Sequence, residues 1–196
     1  MRLPLGDYQR AQTLLKYDAT NAGAGLTAEA LRELGTSVAA VSTYPRSVAA
    51  SDPVPDFALV RREGAAPAAV LAVTLAGQLE PEREPVRAAL EAAVAEARRS
   101  AALVVLLANA DPADLPSLAR ISTVDVVLGA RSPAPDEPTR YGSTIIAGCD
   151  RTGVSVCVLT VERSPSRPVR VTSWEAIYLG EGVAVDEEAA GLVPAD

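Results

Sequence analysis

Histidine is absent from this 196-residue sequence. Imidazole is the commonest metal ligand in proteins and the commonest general base near neutral pH. Its absence excludes a Ser-His-Asp triad, a Cys-His dyad and any histidine-containing zinc site. Any chemistry that the chain performs must therefore depend on other side chains.

Cysteine is scarce as well, because the chain holds only Cys149 and Cys157, without a CxxC motif or a zinc-ligand spacing. Residues 150–153 are typical of a turn, so we expect the strands on either side to form a hairpin. Counting outward from this turn places Cys149 opposite a residue near Val154 and not opposite Cys157. The sequence therefore predicts two buried free thiols and no disulfide.

Basic residues, aromatic residues and long apolar runs are also few. Acidic residues outnumber Lys and Arg by 25 to 18, and the net charge of −7 argues against a general nucleic-acid or anionic-membrane surface. One Trp and one Phe argue against a large exposed aromatic platform. No run reaches the roughly 18 apolar residues that a membrane helix needs.

The first residues lack the apolar segment of a signal peptide. We therefore expect a soluble protein. Its location would be cytoplasmic for the sequence as it stands, and periplasmic or extracellular if the sequence is a trimmed mature form.

The apolar residues that are present follow a pattern typical of a single α/β domain, which we expect to span residues 1–196. Helices are predicted over residues 10–34 (with a break at 21–25), 80–99, 115–121 and 186–192. Strands are predicted over residues 38–42, 57–61, 68–74, 102–107 and 124–129.

The pattern changes after residue 129. Residues 130–141 are rich in proline and predict a loop. Residues 143–148, 154–162 and 169–178 predict three antiparallel strands. Buried strands that alternate with helices and are followed by hairpins favour an α/β fold, a two-layered mixed β-sandwich flanked by helices, over a doubly wound parallel fold.

Residues 102–161 resemble the second half of the metallophosphoesterase domain in 5′-nucleotidases and the related sulfur-oxidation thiohydrolases. In that calcineurin-like family a buried strand ends in Ser-His, a short helix follows, and a second strand ends in Gly-Gly-His-Ser-His before a hairpin. Here the first strand ends in Asn109, and residues 124–133 read Val-Asp-Val-Val-Leu-Gly-Ala-Arg-Ser-Pro. The resemblance extends less closely back to Gly6 and Asp7. We expect the family's first strand, with its Asp-x-His motif, and its C-terminal nucleotide-binding domain to be missing.

The resemblance implies two divalent metals that are held by His, Asn and Asp ligands and that activate a bridging water. At the matching positions Thr43 replaces Asn, and His is replaced by Tyr44, Asn109, Arg131 and Pro133. Proline has no ligating side-chain atom, and an arginine guanidinium repels cations. The resemblance therefore implies a degenerate metallophosphoesterase domain of the 5′-nucleotidase type, without a metal, a cofactor or catalytic residues.

Four residues at the former metal-site positions remain candidates for contact with a ligand: Asp7, Asn109, Arg131 and Ser132. Arg131 could hold a phosphate or carboxylate in place of the lost metals. The alternatives are structural, since Asp7 could cap a helix and Asn109 could form a turn. Arg131 could also pair with Asp136 or Glu137.

Two functional hypotheses follow. In the first, the chain is a pseudoenzyme that acts as a structural or interaction subunit of a larger assembly, with a protein partner, no nucleic acid and no direct membrane insertion. In the second, it is a binder or residual hydrolase of a small phosphorylated ligand that uses the former metal cleft. A third interpretation is that the chain is one fragment of a longer protein.

Overall fold

The computed structural model describes residues 17–21, 39–44, 55–75, 84–132, 136–150, 155–164 and 166–179. Asp7, the predicted helical segment 186–192 and most of the predicted helical segment 10–34 lie outside the described residues.

A six-stranded mixed sheet forms the centre of the fold. Its strands are β3 (Phe57–Val60), β4 (Ala68–Thr74), β5 (Leu103–Asn109), β6 (Val126–Ser132), β7 (Asp136–Tyr141) and β8 (Thr144–Asp150). They are ordered β3-β4-β5-β6-β8-β7 across the sheet. The four central strands are parallel, whereas β3 and β7 run antiparallel at the two edges. The near-continuous apolar runs of β4 and β5 suit this central position, because such strands are covered on both faces.

Two helices cover one face of this sheet, α1 (Glu84–Ala97) and α2 (Leu115–Ser122). Both were predicted from the helical spacing of their apolar residues, and both are confirmed. The buried side chains of α1 pack into the largest core cluster together with alternate residues of β4 and β5; those of α1 are Val86, Leu90, Ala93, Val94 and Ala97. The apolar face of α1, which repeats every 3.6 residues, therefore packs on the face of the sheet that is formed by every second residue of the strands.

Gly129 of β6 allows α2 to lie close to the sheet. A Cβ atom at this position would stand 2.6 Å from Cδ1 of Leu115, the first residue of α2. Leu115 is itself buried. A larger residue here would force the end of the Leu115 side chain to move, so glycine serves close packing and not a special backbone conformation.

Two pairs of strands cover the opposite face. β1 (Ala19–Asn21) pairs in parallel with β2 (Ala39–Val41), and β9 (Ser155–Ser164) pairs antiparallel with β10 (Arg167–Tyr178). We call the second pair the β9–β10 hairpin. Within the described residues, no helix combines the length and the apolar character that a membrane span requires.

Each strand pair packs on a different part of the large sheet. Val41 of β2 clusters with Ala72 of β4, and Val169 of β10 clusters with Val126 of β6 and Ile145 of β8. The fold is therefore a two-layered mixed β-sandwich flanked by helices, as the sequence predicted.

The helix predicted over residues 10–34 is wrong at Ala19–Asn21, which form a strand. This strand is only three residues long and depends on β2 for its backbone hydrogen bonds. A partner 20 positions away in the sequence leaves no mark on the local apolar spacing, so the periodicity could not reveal it.

The loop predicted over residues 130–141 is also wrong, because β6 continues to Ser132 and β7 occupies Asp136–Tyr141. β7 contains Pro138, one of the three prolines in residues 130–141 that led to the loop prediction. Proline is tolerated in an edge strand, where its missing N–H faces solvent, and β7 lies at the edge of the sheet.

The prediction of free thiols is wrong, because Cys149 and Cys157 form a disulfide with a Cα–Cα distance of 5.8 Å. The strands β8 and β9 exist near their predicted positions, but they do not pair with each other. β8 belongs to the six-stranded sheet and β9 pairs with β10, so the register counted across a hairpin does not apply. The disulfide instead joins the two layers of the sandwich.

Candidate functional site at the carboxyl edge of the sheet

Polar side chains follow several parallel strands at the edge where those strands end, which we call the carboxyl edge. They belong to Asn21 at the end of β1, Thr43 and Tyr44 after β2, Thr74 at the end of β4, Asn109 at the end of β5, and Arg131 near the end of β6. Ligand sites in α/β folds usually lie at this edge. The carboxyl edge is therefore the place to test the residues that the sequence singled out.

Asn109 and Arg131 meet at the carboxyl edge. The Nε atom of Arg131 donates a hydrogen bond to the Asn109 side-chain oxygen over 2.6 Å. Two of the positions that the resemblance singled out therefore lie side by side, while their contact with a ligand stays a prediction. The alternative in which Arg131 pairs with Glu137 is not found, and the side chain of Asp136 lies outside the described residues.

Asn109 is fixed by its backbone as well as by its side chain. Its carbonyl oxygen accepts a hydrogen bond from Leu75 N over 3.0 Å, and it stands beside Thr74 in the parallel register of β4 and β5. The Arg131 guanidinium is exposed while its Nε atom is held by Asn109. This arrangement leaves a permanent positive charge at a fixed place on the carboxyl edge.

Asn21 and Thr74 form a second polar pair, which the sequence did not reveal. The Thr74 hydroxyl donates to the Asn21 side-chain oxygen over 3.3 Å, and the Asn21 amide group donates to the Val73 carbonyl over 3.1 Å. Asn21 was missed because it begins the break at 21–25 within a segment that was otherwise predicted as helical. The polar residue at the end of Ala19–Asn21 could have indicated the end of a short strand. A break in a helix has the same sequence pattern, so the two could not be distinguished.

Thr43 and Tyr44 have structural partners. The Thr43 hydroxyl donates to the Asp56 carbonyl over 2.5 Å and accepts a hydrogen bond from Ala72 N over 3.2 Å. The Tyr44 side chain packs against the main core, and its carbonyl accepts from Thr74 N over 2.8 Å. Both residues therefore attach the segment after β2 to β4.

Ser132 ends β6 and stands beside Asp150 of β8 in the backbone register. Its side chain lies outside the described part of the structure, as do Asp7 and Pro133. Of the four candidate contact residues, the structure therefore brings together the side chains of Asn109 and Arg131.

Two carboxylates follow β5 in the short 3₁₀ turn Pro112–Asp114 and its N-cap. Asp111 caps this turn by accepting a hydrogen bond from Ala113 N over 3.0 Å. Burial, together with the nearby negative charge of Asp111, raises the pKa of Asp114 above its usual value.

The side-chain groups that bond to one another at the carboxyl edge are amides, a hydroxyl group and the Arg131 guanidinium, while the carboxylates of Asp111, Asp114 and Asp150 lie in the turn after β5 and at the end of β8. Among the residues that the structure describes, no three Asp, Glu or Cys side chains come together in a way that could hold a metal ion. The sequence contributes no histidine to such a group. The Arg131–Asn109 pair therefore suits an anion better than a cation, because its formal charge is the positive charge of Arg131.

No protein-family model matches the chain, and no curated protein matches it. Solved structures do. The sulfate thiohydrolase SoxB of Thermus thermophilus, solved in complex with glycerol, is 20% identical with a TM-score of 0.73, and the match covers 95% of this chain and 37% of that one. A Staphylococcus aureus protein named as a 5′-nucleotidase, solved with α-ketoglutarate, is 14% identical with a TM-score of 0.61, and the match covers 94% of this chain and 42% of that one.

These likenesses establish the fold, which is that of the calcineurin-like metallophosphoesterases. The chain spans less than half of the length of each of the two proteins.

Proposed function

We propose that this chain is a non-catalytic protein on a metallophosphoesterase-like fold, a pseudoenzyme that serves as a structural or interaction subunit of a larger assembly. One observation carries the proposal. At the carboxyl edge the side chains bond to one another or to neighbouring backbone, as Arg131 does with Asn109 and Thr74 with Asn21.

Phosphoester hydrolysis by two metals needs several anionic or imidazole donors that point at a common centre. The Arg131 guanidinium opposes a cation there, since it keeps its charge at any physiological pH. The Thr43 hydroxyl forms hydrogen bonds with backbone atoms, and the Tyr44 side chain packs against the core. Neither side chain is therefore placed to serve as a metal ligand. The fold is therefore retained while the described edge offers poor support for a dinuclear centre.

Metal binding and hydrolysis test this proposal together. The purified chain is incubated with Mn²⁺ or Zn²⁺, its metal content is measured by mass spectrometry after desalting, and turnover of p-nitrophenyl phosphate is followed. We expect background metal content and hydrolysis no faster than the blank. Stoichiometric metal together with phosphomonoesterase turnover would show that the proposal is wrong.

The partner in this proposal is another protein, and neither a nucleic acid nor a membrane is expected. The net charge of −7 supports this, because it disfavours polyanionic surfaces. The proposed unit is the single domain 1–196, without a cofactor.

The second candidate function is binding of a small phosphorylated ligand, or residual hydrolysis of it, at the former metal cleft. The contact between Arg131 and Asn109 favours this candidate, because it fixes a cation beside an amide at the carboxyl edge. Ser132 and Asp7 are the further proposed contacts.

Thermal shift separates the two candidates. Phosphate and a panel of nucleotides are tested against the unmodified chain, Arg131→Ala and the control Arg99→Ala, whose guanidinium is exposed on the last turn after α1. A shift that Arg131→Ala abolishes and Arg99→Ala preserves would favour ligand binding. No shift across the panel would favour the structural role.

A further inference from the structure

A cavity of about 480 Å³ lies between the six-stranded sheet and the β9–β10 hairpin. One wall comes from the large sheet, chiefly from Leu103, Val105, Val126, Leu128 and Ala147. The other wall comes from the hairpin, chiefly from Leu159, Val161 and Trp174. We call this space the inter-sheet cavity. It is separate from the carboxyl-edge residues Asn109 and Arg131.

The inter-sheet cavity follows from the strand pattern. Successive side chains of a strand point to opposite faces, and alternate residues of β6 and β8 on this face are apolar. On this face Ala147 is small and the backbone of the adjacent Gly148 also lines the cavity, so space remains where a larger side chain would fill the sandwich. Ala147 is only 3% exposed, which places it in the interior of the fold.

The disulfide joins the two walls of the inter-sheet cavity. Cys149 lies on β8 and Cys157 on β9, and both line the cavity. The covalent bond sets the distance between the layers at this end, so the hairpin cannot move away from the sheet there. The cavity is thus bounded by two apolar sheets and one covalent link.

Charge gives a further constraint on an occupant. One cation close to the lining is that of Arg163, whose Nε atom donates to the Ala102 carbonyl beside Leu103 over 3.2 Å. Its Nη1 atom donates to the carbonyls of Ser164 and Arg167, and its guanidinium also faces Asp125. The Arg163 guanidinium is therefore already bound to backbone carbonyls and to Asp125. The described lining of the cavity has no formal charge that could pair with an acidic head group.

We propose that the inter-sheet cavity binds an uncharged apolar molecule, of the size of a fused aromatic ring system. Ligand pockets usually measure about 300–1,000 Å³ and are lined mostly by apolar and aromatic side chains. Apolar cavities too hydrophobic to hold water accept compact hydrocarbons. The indole of Trp174 supplies an aromatic surface for offset or edge-to-face contact with such a ring.

The experiment uses N-phenyl-1-naphthylamine, a neutral dye that fluoresces in apolar surroundings, and the oxidised full chain. Trp174 is the single tryptophan, so energy transfer from it to the dye reports that the dye is bound to the protein, and the filling variants locate the dye in this cavity. We expect saturable binding of one dye molecule, with energy transfer that rises in parallel. Ala147→Phe fills the cavity and should weaken binding at least about tenfold, or by about 1.4 kcal/mol.

The matched control is Ala92→Phe, which places the same ring on the exposed face of α1, on the other side of the large sheet. It should leave dye binding unchanged. Val161→Phe is a second filling variant at a half-buried position of the hairpin, in case Ala147→Phe disturbs folding. Circular dichroism establishes that each variant is folded.

Competition tests the charge argument on the unmodified chain. Neutral decanol should displace the dye, whereas decanoate should not at the same concentration. The proposal is overturned if the chain shows no saturable dye binding, if both filling variants bind as well as Ala92→Phe, or if decanoate competes as well as decanol.

Discussion

Asp125 connects more parts of the fold than any residue that the sequence singled out. Its carboxylate accepts hydrogen bonds from Arg98 Nη1 over 2.5 Å and from Val104 N over 2.8 Å, and it lies 3.7 Å from Arg163 Nε. The side chain is only 10% exposed. One buried carboxylate thus links the end of α1, the start of β5 and the β9–β10 hairpin.

Removal of the Arg98 side chain should therefore destabilise the protein. In Arg98→Ala the buried Asp125 carboxylate loses its shortest charged partner, and the Thr123 carbonyl loses a donor. Because Arg98 is itself 31% exposed, we expect a loss of about 2–3 kcal/mol in the free energy of unfolding, less than for a fully buried pair. Urea denaturation measures it.

Arg99→Ala is the control for this prediction. Arg99 is the next residue in the chain and pairs with Glu96 at a well-exposed position. Exposed pairs contribute little, so the change should stay within about 0.5 kcal/mol. Equal effects of the two substitutions would mean that Asp125 is not the reason for the importance of Arg98.

At the candidate site, Asn109 and Arg131 were singled out together because the resemblance assigns both to former metal-site positions, and the structure places their side chains in contact. The sequence could not predict the Asn21–Thr74 pair, since Asn21 lies in a strand of only three residues. Partners more than 50 positions apart are brought together by the sheet alone. The residue types show which polar groups the edge can contain, but the topology of the chain decides which side chains form hydrogen bonds with each other.

At the scale of the element, α2 ends in an unfavourable backbone conformation. Its C-cap residue, Thr123, has φ 52° and lies in the left-handed region. A β-branched side chain is strained there, whereas glycine is not. The Thr123 carbonyl that Arg98 contacts belongs to the backbone and would remain after substitution.

Thr123→Gly should therefore raise the free energy of unfolding by about 1 kcal/mol. Relief of the left-handed strain contributes about 1–2 kcal/mol, and the greater conformational entropy of glycine in the unfolded state offsets part of this gain. Thermal denaturation would show this as a higher midpoint. Thr160→Gly, at an exposed position of β9, should have the opposite sign because glycine weakens a strand. A lower midpoint for Thr123→Gly would contradict the prediction.

At the start of α2, the Asp114 carboxyl group should make the stability of the protein depend on pH. Asp114 occupies the N-cap position without a side-chain cap bond, and burial and the charge of Asp111 raise its pKa. A carboxyl group whose folded-state pKa is raised favours the folded protein while it is protonated. That contribution is complete at pH values below the unfolded-state pKa and is lost as the pH rises through the folded-state pKa.

Asp114→Asn should therefore make the protein slightly more stable at neutral pH, and the gain should disappear below about pH 4. Denaturation curves at a series of pH values measure this difference. Asp111→Ala is the comparison, since loss of the cap to Ala113 N should cost about 1 kcal/mol at neutral pH. A gain for Asp114→Asn that does not change with pH would show that the charge of Asp114 is not its cause.

At the scale of the whole molecule, the disulfide is the covalent link between the two layers. It closes a loop with a sequence separation of eight residues, for which chain entropy predicts a stabilisation of roughly 2.5 kcal/mol. A two-stranded hairpin is marginally stable by itself, so the β9–β10 hairpin depends on its contact with the sheet.

Reduction, or the double substitution Cys149→Ser and Cys157→Ser, should therefore loosen the hairpin before the rest unfolds. Trp174 reports the hairpin, while far-ultraviolet circular dichroism reports mainly the helices and large sheet. In the reduced protein we expect the fluorescence transition to fall to lower urea than the circular dichroism transition. Coincident transitions, unchanged from those of the oxidised protein, would contradict this.

The sequence by itself determined the elements with regular apolar spacing and which side-chain types are present to act as donors. Apolar runs and helical spacing placed α1, α2, β4 and β5, because each of these elements buries a regular set of side chains. The lack of histidine is fixed by composition alone.

Tertiary structure alone decided which strands pair and which layer each one joins. The edge position that accommodates Pro138 in β7, and the assignment of β8 and β9 to different sheets, follow from pairing between distant segments. That assignment brought Cys149 and Cys157 together and left the inter-sheet cavity between the layers. Strand pairing depends on the register and twist of the whole sheet, and a local window of sequence contains neither.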